Sequence, residues 1–268
     1  MLHYFQGYHD IVQVLLLVLG EERAAAAVPR MSLLRIRDYM LPKMDPALRH
    51  LQLLPAILQS VDEPLAAHLS QTKPYFALSA TLTLYAHDIQ EYSDIARLYD
   101  FLLAHEPAMS LYLFAAIIVS RRSELLDIPS DEGEMLHFTL SKLPQPLNLE
   151  VLISRSLELF NNHPPERLPH LIWWRLSSYS VLKTSRSIQQ PQTLDEAELL
   201  FEKQAQQLKR DEALRRRIAF LSKHKRSTMS VAAALLVGGV SIWLRRTEQD
   251  KFVWSVILWA SKCLRWGR

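Results

Sequence analysis

Cysteine and glycine are both scarce in this 268-residue chain, which contains one Cys, at position 263, and 6 Gly. A single cysteine cannot form an internal disulfide, so we expect most of the chain to lie in a reducing compartment. No alternation of apolar and polar residues is long enough for a strand, and the 14 prolines mostly separate apolar runs. The sequence therefore predicts an all-α protein.

Several catalytic signatures are also missing. The sequence has no Gly-rich phosphate loop and no Gly-x-Ser-x-Gly elbow. Its 10 histidines show no His-Glu-x-x-His pattern, so no metal site is expected. The pair His87–Asp88 is more typical of a hydrogen-bonding pair on a helix surface or in the core than of a catalytic dyad. The first ten residues lack a basic region and a cleavage site, so no signal peptide is expected.

Charge of either sign is unevenly spread along the chain. Residues 1–201 carry 16 Lys/Arg against 23 Asp/Glu, a net of −7, whereas residues 202–268 carry 15 against 5, a net of +10. A basic tail suits anionic lipid, RNA or a nuclear import receptor. The apolar run beside these charges favours lipid, so membrane lipid is the predicted partner and nucleic acid is not.

The apolar run is residues 227–244, which hold 18 residues without a charge. As a helix it would be roughly 27 Å long, close to the bilayer core. We therefore predict a transmembrane helix over 227–246, with a buried core helix as the alternative. Basic residues flank it on both sides: Lys223, Lys225, Arg226, Arg245 and Arg246.

The segment 247–268 predicts a short amphipathic interfacial tail, although a helical hairpin with the preceding run is also open. Ser230, Ala234 and Gly238 recur every four residues, a stripe that suits weak homo-association through the transmembrane helix. These features predict a C-terminal anchor with the main domain facing the cytosol.

The rest of the chain reads as helices, with a globular domain over 1–185 and a linker plus basic stalk helix over 186–226. Residues 11–19 predict a buried helix, and residues 75–87 place their apolar side chains on a wide helical face. Residues 108–119 are apolar nearly all round, as in a central core helix. Ser93 and Asp94 suit the cap of a helix over 94–106.

The most informative residues are Tyr4-Phe5-Gln6-Gly7-Tyr8-His9-Asp10. Tyr-x-Gln-Gly with a later Asp, followed by an apolar helix that ends in Glu21-Glu22, resembles the glutamine-finger motif of the TBC family. Members of that family are GTPase-activating proteins for Rab-type small GTPases. A second block, Arg97-Leu98-Tyr99-Asp100, resembles the family's Arg-x-Trp-Asp helix. The resemblance covers roughly residues 4–165 and is closest to the membrane-anchored branch that acts at the endoplasmic reticulum.

The resemblance implies a role for each motif residue. Gln6 would act in trans and hold the water that attacks the γ-phosphate, because a carboxamide donates and accepts hydrogen bonds without titrating. The chain would not be an enzyme itself and would need no cofactor, since GTP and Mg²⁺ belong to the partner Rab GTPase. The residues expected to support the motif or contact the Rab are Tyr4, Phe5, Gly7, Tyr8, Asp10, Arg97 and Asp100.

The family's arginine finger lies upstream of its glutamine, whereas only residues 1–5 precede Gln6 here and the first arginine is Arg23. Such a finger contributes about 10³–10⁵ in rate, so we expect this chain alone to be incomplete for catalysis. Three interpretations are open. The chain is a fragment of an active activator, a short form that binds a Rab without catalysis, or a tail-anchored helical adaptor for another membrane-traffic partner. The predicted location is the endoplasmic reticulum or another internal membrane.

Overall fold

The computed structural model describes residues 1–187, 192–223 and 237–241. Over these residues the regular structure consists of α-helices and short 3-10 turns, which confirms the all-α class. The chain divides into two compact units, residues 1–207 and 208–268. The α-helices of the described residues are α1 Tyr8–Leu19, α2 Glu21–Leu34, α3 Asp45–Leu51, α4 Leu53–Val61, α5 Glu63–His68, α6 Leu78–Leu82, α7 Tyr92–Leu103, α8 Met109–Ser120, α9 Arg122–Asp127, α10 Gly133–Leu140, α11 Leu149–Asn162, α12 Val181–Thr184 and α13 Leu194–Lys223.

The core of the first unit is built around α8, whose residues from Met109 to Ile118 are all buried. A helix that is apolar all round must be surrounded by other elements, and α8 packs against α4 and α11. Phe114 stacks on Phe76, with ring centroids 5.9 Å apart. The predicted central core helix is therefore confirmed.

At the N-terminus, α1 packs against α2 and α7. Ile11, Val14 and Leu15 are buried, but Leu16 and Leu17 are exposed. The prediction of a helix here is confirmed, whereas its complete burial is wrong, because only one face of α1 meets other elements in the described part of the chain.

The helix α13 begins with a reciprocal capping box: Glu196 N donates to Thr193 Oγ1 and Thr193 N donates to Glu196 Oε2, at 3.2 and 3.0 Å.

Two local predictions need correction. The helix predicted over 75–87 is a 3-10 turn and the five-residue α6, because Leu84 and Tyr85 adopt left-handed backbone angles that end it. The helix α7 begins at Tyr92, and its N-cap is Glu91 without a side-chain hydrogen bond, so Ser93 and Asp94 lie inside the helix.

The predicted transmembrane helix also needs correction. No helix within the described residues is long and apolar enough to cross a bilayer. Of the predicted segment 227–246, the structure describes only residues 237–241, which are helical. The rest of that segment and the predicted tail 247–268 lie outside the described residues. The predicted membrane localisation and the predicted homo-association through this segment stay predictions.

Candidate functional site

The glutamine motif forms a tight turn in front of α1. Phe5 is buried, Gln6 is exposed and Gly7 has a φ of 96°. The turn is closed by Tyr8 N, which donates to Phe5 O at 3.2 Å, and Asp10 N donates to Gly7 O at 3.1 Å. A buried residue before Gln6 and a helix after it fix the backbone on both sides, so the side chain of Gln6 faces outward from a defined position.

Gly7 is required by the space around it as well as by its backbone angle. A Cβ at this position would lie 2.5 Å from Thr83 Cγ2, closer than atoms of real proteins approach. Thr83 follows α6 and is buried. The turn therefore packs directly onto the segment between α6 and α7, and any side chain at position 7 would push the two apart.

Aromatic residues on either side of Gln6 anchor the turn to the core. The rings of Phe5 and Tyr39 meet edge to face with centroids 6.2 Å apart. The hydroxyl groups of Tyr8 and Ser32 are 2.8 Å apart and form a hydrogen bond to α2. Phe5 and Tyr8 thus hold the backbone of the turn against the core.

A network of hydrogen-bonded polar side chains surrounds the turn. His9 Nε2 lies 3.1 Å from Asp10 Oδ1, so this nitrogen carries the proton and donates it to the carboxylate. His9 Nδ1 is then free to accept a hydrogen bond from the Tyr4 hydroxyl, at 3.0 Å. The other Asp10 oxygen, Oδ2, accepts from His87 Nδ1 at 3.1 Å. Because a carboxylate only accepts hydrogen bonds, Asp10 fixes which nitrogen of each imidazole carries hydrogen. Residues before and after Gln6 are thereby joined.

The second motif block divides between the core and the surface. Tyr99 is buried and its hydroxyl donates to Thr83 O at 3.4 Å, so it reaches the segment that supports the glutamine turn from the side of the core. Burial, with a smaller effect of the Asp10 carboxylate, raises the pKa of Tyr99 far above its ordinary value. Arg97 is exposed and turns to Glu150, with Nε and Oε1 2.7 Å apart, and Asp100 is exposed on the same helix. Thr83 is the residue that links the two blocks.

The predicted membrane-flanking residues fall almost entirely outside the described part of the chain. Lys223 is the last residue of α13. The other four, Lys225, Arg226, Arg245 and Arg246, lie outside the described residues. Within the described part of the chain, no three His, Cys, Asp or Glu side chains are arranged to hold a metal ion.

Sequence reasoning missed a second polar cluster, which is buried. His50 Nε2 lies 2.9 Å from Asp38 Oδ2 and 3.1 Å from Ser180 Oγ. A catalytic triad needs its acid and its serine on opposite ring nitrogens, whereas here both contact Nε2 and all three side chains are inaccessible. The cluster is therefore structural. No spacing in the sequence joins residues 38, 50 and 180, so no sequence signal could have found it.

Sequence reasoning also missed the role of Thr83 and assigned the wrong partner to His87. The structure pairs His87, in the turn after α6, with Asp10 of α1, 77 residues away in sequence, rather than with the adjacent Asp88. Burial raises the pKa of Asp88, and its Oδ2 has no hydrogen-bond partner among the described residues. The dipeptide His87–Asp88 was visible in the sequence, but its long-range contact was not.

Comparison with known proteins finds a family match in the N-terminal part of the chain. Residues 1–126 match the family described as "Rab-GTPase-TBC domain". The chain is 41% identical over 169 residues to TBC1 domain family member 20 of Bos taurus and 40% identical to the Homo sapiens protein of that name. Each of these alignments covers 62% of this chain and 42% of the relative, so the chain spans less than half the length of these proteins. It is 30% identical over 246 residues to GTPase-activating protein gyp10 of Schizosaccharomyces pombe, covering 89% of this chain and 66% of that protein.

Proposed function

Since residues 1–126 match the Rab-GTPase-TBC domain family, we propose that the chain stimulates GTP hydrolysis by a Rab-type small GTPase, with Gln6 acting in trans. The observation that carries this proposal is the exposure of Gln6 on a turn whose neighbours on both sides are fixed. A buried amide would have had no access to a partner. The gyp10 relative is itself named a GTPase-activating protein.

The chemistry asks little of the activator beyond placement. Hydrolysis needs a water in line with the γ-phosphate, and the transition state is loose, so most of the catalytic effect comes from positioning and electrostatics. The Gln6 carboxamide can accept a hydrogen bond from the attacking water and donate one to a phosphate oxygen at the same time. The nucleotide and Mg²⁺ are held by the Rab protein, and the activator forms no covalent bond.

The surface around Gln6 suits a protein partner. Tyr4 is exposed beside the turn and keeps its hydroxyl on His9. Arg97 and Asp100 are exposed on α7, which packs against α1, so they lie on an element next to the motif. We assign Tyr4, Arg97 and Asp100 to contact with the Rab protein, and Phe5, Gly7, Tyr8 and Asp10 to support of the turn.

The direct test is single-turnover GTP hydrolysis by a panel of Rab proteins with and without the full chain. Because this chain is expected to lack the contribution of an arginine finger, its stimulation should be smaller than that of a complete activator. Gln6→Ala should abolish this stimulation for the responsive Rab, since it removes a transition-state hydrogen bond. Gln13→Ala is the matched control, because Gln13 is an exposed glutamine on α1 and should leave the rate unchanged. Equal loss in both variants, or none in Gln6→Ala, would contradict the assignment.

A binding experiment separates the proposal from the alternative of a Rab-binding adaptor without catalysis. A Rab protein with GDP, Mg²⁺ and aluminium fluoride imitates the transition state, and such analogues bind an activator more tightly than the ground state does. Wild type should bind this form more tightly than the GDP form, and Gln6→Ala should lose the difference. Equal affinity of wild type for both forms would favour the adaptor.

A further inference from the structure

The segment between α6 and α7 has an unusual backbone. Leu84 and Tyr85 have φ angles of 49° and 67°, two consecutive left-handed residues, neither of which is glycine. Bulky residues rarely adopt this conformation and need the surrounding structure to impose it. Here Tyr85 is fully buried, its hydroxyl donates to Ser110 O at 2.7 Å and its N donates to Ala80 O at 2.7 Å. The core thus holds a strained turn in one conformation.

The strained turn places the side chains of Thr83 and His87 against the glutamine motif. Thr83, just before it, packs its methyl group against Gly7. His87, just after it, donates from Nδ1 to Asp10 Oδ2 at 3.1 Å. A continuous helix over 75–87 would have carried these two residues along a single helical path instead of reversing the chain between them. The backbone strain therefore coincides with the contacts that reach the motif.

Asp10 connects His87 to the residues around Gln6. Its second oxygen faces His9, and His9 in turn binds the Tyr4 hydroxyl. Tyr4 lies two residues before Gln6 and His9 three residues after it. The carboxylate of Asp10 is only 16% exposed, whereas the His87 side chain is 65% exposed. The solvent-facing histidine thus holds a nearly buried carboxylate at the base of the turn.

We propose that His87 is a positioning residue for Gln6: it fixes Asp10 and, through Asp10, the turn that presents the glutamine to the Rab protein. This rests on the proposed function of Gln6. His87 is too exposed to add much to stability, since solvent weakens such a pair. Its contribution is to the placement of the turn, and small displacements of a catalytic group are costly to the rate.

The test combines two measurements on the full chain, hydrogen–deuterium exchange and single-turnover Rab GTP hydrolysis. His87→Ala should make the backbone amides of residues 5–10 exchange about three- to fivefold faster while leaving α8 unchanged. The stimulated rate should fall about tenfold, with the affinity for the Rab protein altered less than about twofold. His87→Asn should restore both, because its amide nitrogen occupies the place of Nδ1 and can donate to Asp10.

The two measurements separate this proposal from the proposed function. Unchanged exchange at residues 5–10 in His87→Ala would overturn the positioning role, whatever the hydrolysis assay gives. Absence of stimulation by wild type counts against the function of Gln6, while the exchange data still decide the role of His87. A stimulated rate in His87→Ala equal to wild type, in an assay where Gln6→Ala is inactive, would also overturn the positioning role.

Discussion

Among single residues, Gly7 is the one on which the turn that presents Gln6 most clearly depends, and it does so for two reasons. Gly7 lacks a Cβ where the Thr83 methyl group needs the space, and its φ of 96° disfavours any other residue. The two conditions are separate: one is local backbone strain and the other is a contact with a residue 76 positions later in sequence. A mutation can therefore test each condition.

Gly7→Ala should lower the free energy of unfolding by about 2–3 kcal/mol, of which roughly 1 kcal/mol is backbone strain and the rest overpacking. Thermal or denaturant unfolding measures the change. Thr83→Ser removes the methyl group and keeps the hydroxyl that donates to Ser79 O at 2.9 Å. The double variant should recover about 1 kcal/mol relative to the sum of the single variants. Additive effects would show that the contact is unimportant.

At the scale of elements, Arg121 joins the end of α8 to the end of α10. Its Nη1 donates to Thr139 O and Lys142 O at 2.7 and 2.8 Å, and its Nε and Nη2 hold both oxygens of Glu124 at 2.8 Å. The carbonyl groups at a helix C-terminus lack partners within the helix, so a cation there is favourable. One guanidinium thus caps α10 and pairs with α9.

Arg121→Lys should lower stability by about 1–2 kcal/mol, because a single ammonium cannot reproduce the fork that serves the carbonyl groups and the carboxylate together. Arg122→Lys is the control, since Arg122 is half-exposed and contacts Asp62 through Nε, at 2.6 Å. Its effect should stay within about 0.5 kcal/mol. Chemical denaturation of both variants decides the point, and equal losses would contradict the capping role.

At the scale of the whole first unit, buried polar residues tie its beginning to its end. Arg37 Nη2 donates to Tyr179 O at 2.9 Å, and Val181 N donates to Asp38 Oδ1 at 3.0 Å. Burial by itself raises the pKa of Asp38, but the hydrogen bonds from His50, Ser180 and Val181 hold that pKa below its ordinary value of 3.8. These contacts join residues about 140 positions apart.

Asp38→Asn should lower the free energy of unfolding at pH 7 by about 3 kcal/mol, because it replaces a buried carboxylate that accepts hydrogen bonds and leaves buried donors without their partner. Since the folded pKa of Asp38 lies below the unfolded one, its stabilisation is present above pH 3.8 and is lost as the pH falls further. Wild type should therefore lose stability below pH 4 more steeply than the variant. Urea unfolding at several pH values measures this, with the exposed Asp131→Asn as control. Parallel pH profiles would contradict it.

The helical class and the central position of residues 108–119 could be predicted from sequence, because both depend on local periodicity. The contacts that hold the turn at Gln6 could not be predicted, because they depend on how distant segments pack. The partner of Asp10 is His87, the cluster at Asp38 closes through Ser180, and the left-handed residues Leu84 and Tyr85 break a helix that their own pattern favours. Such contacts join distant residues, and only burial of the shared core makes their strain and desolvation tolerable.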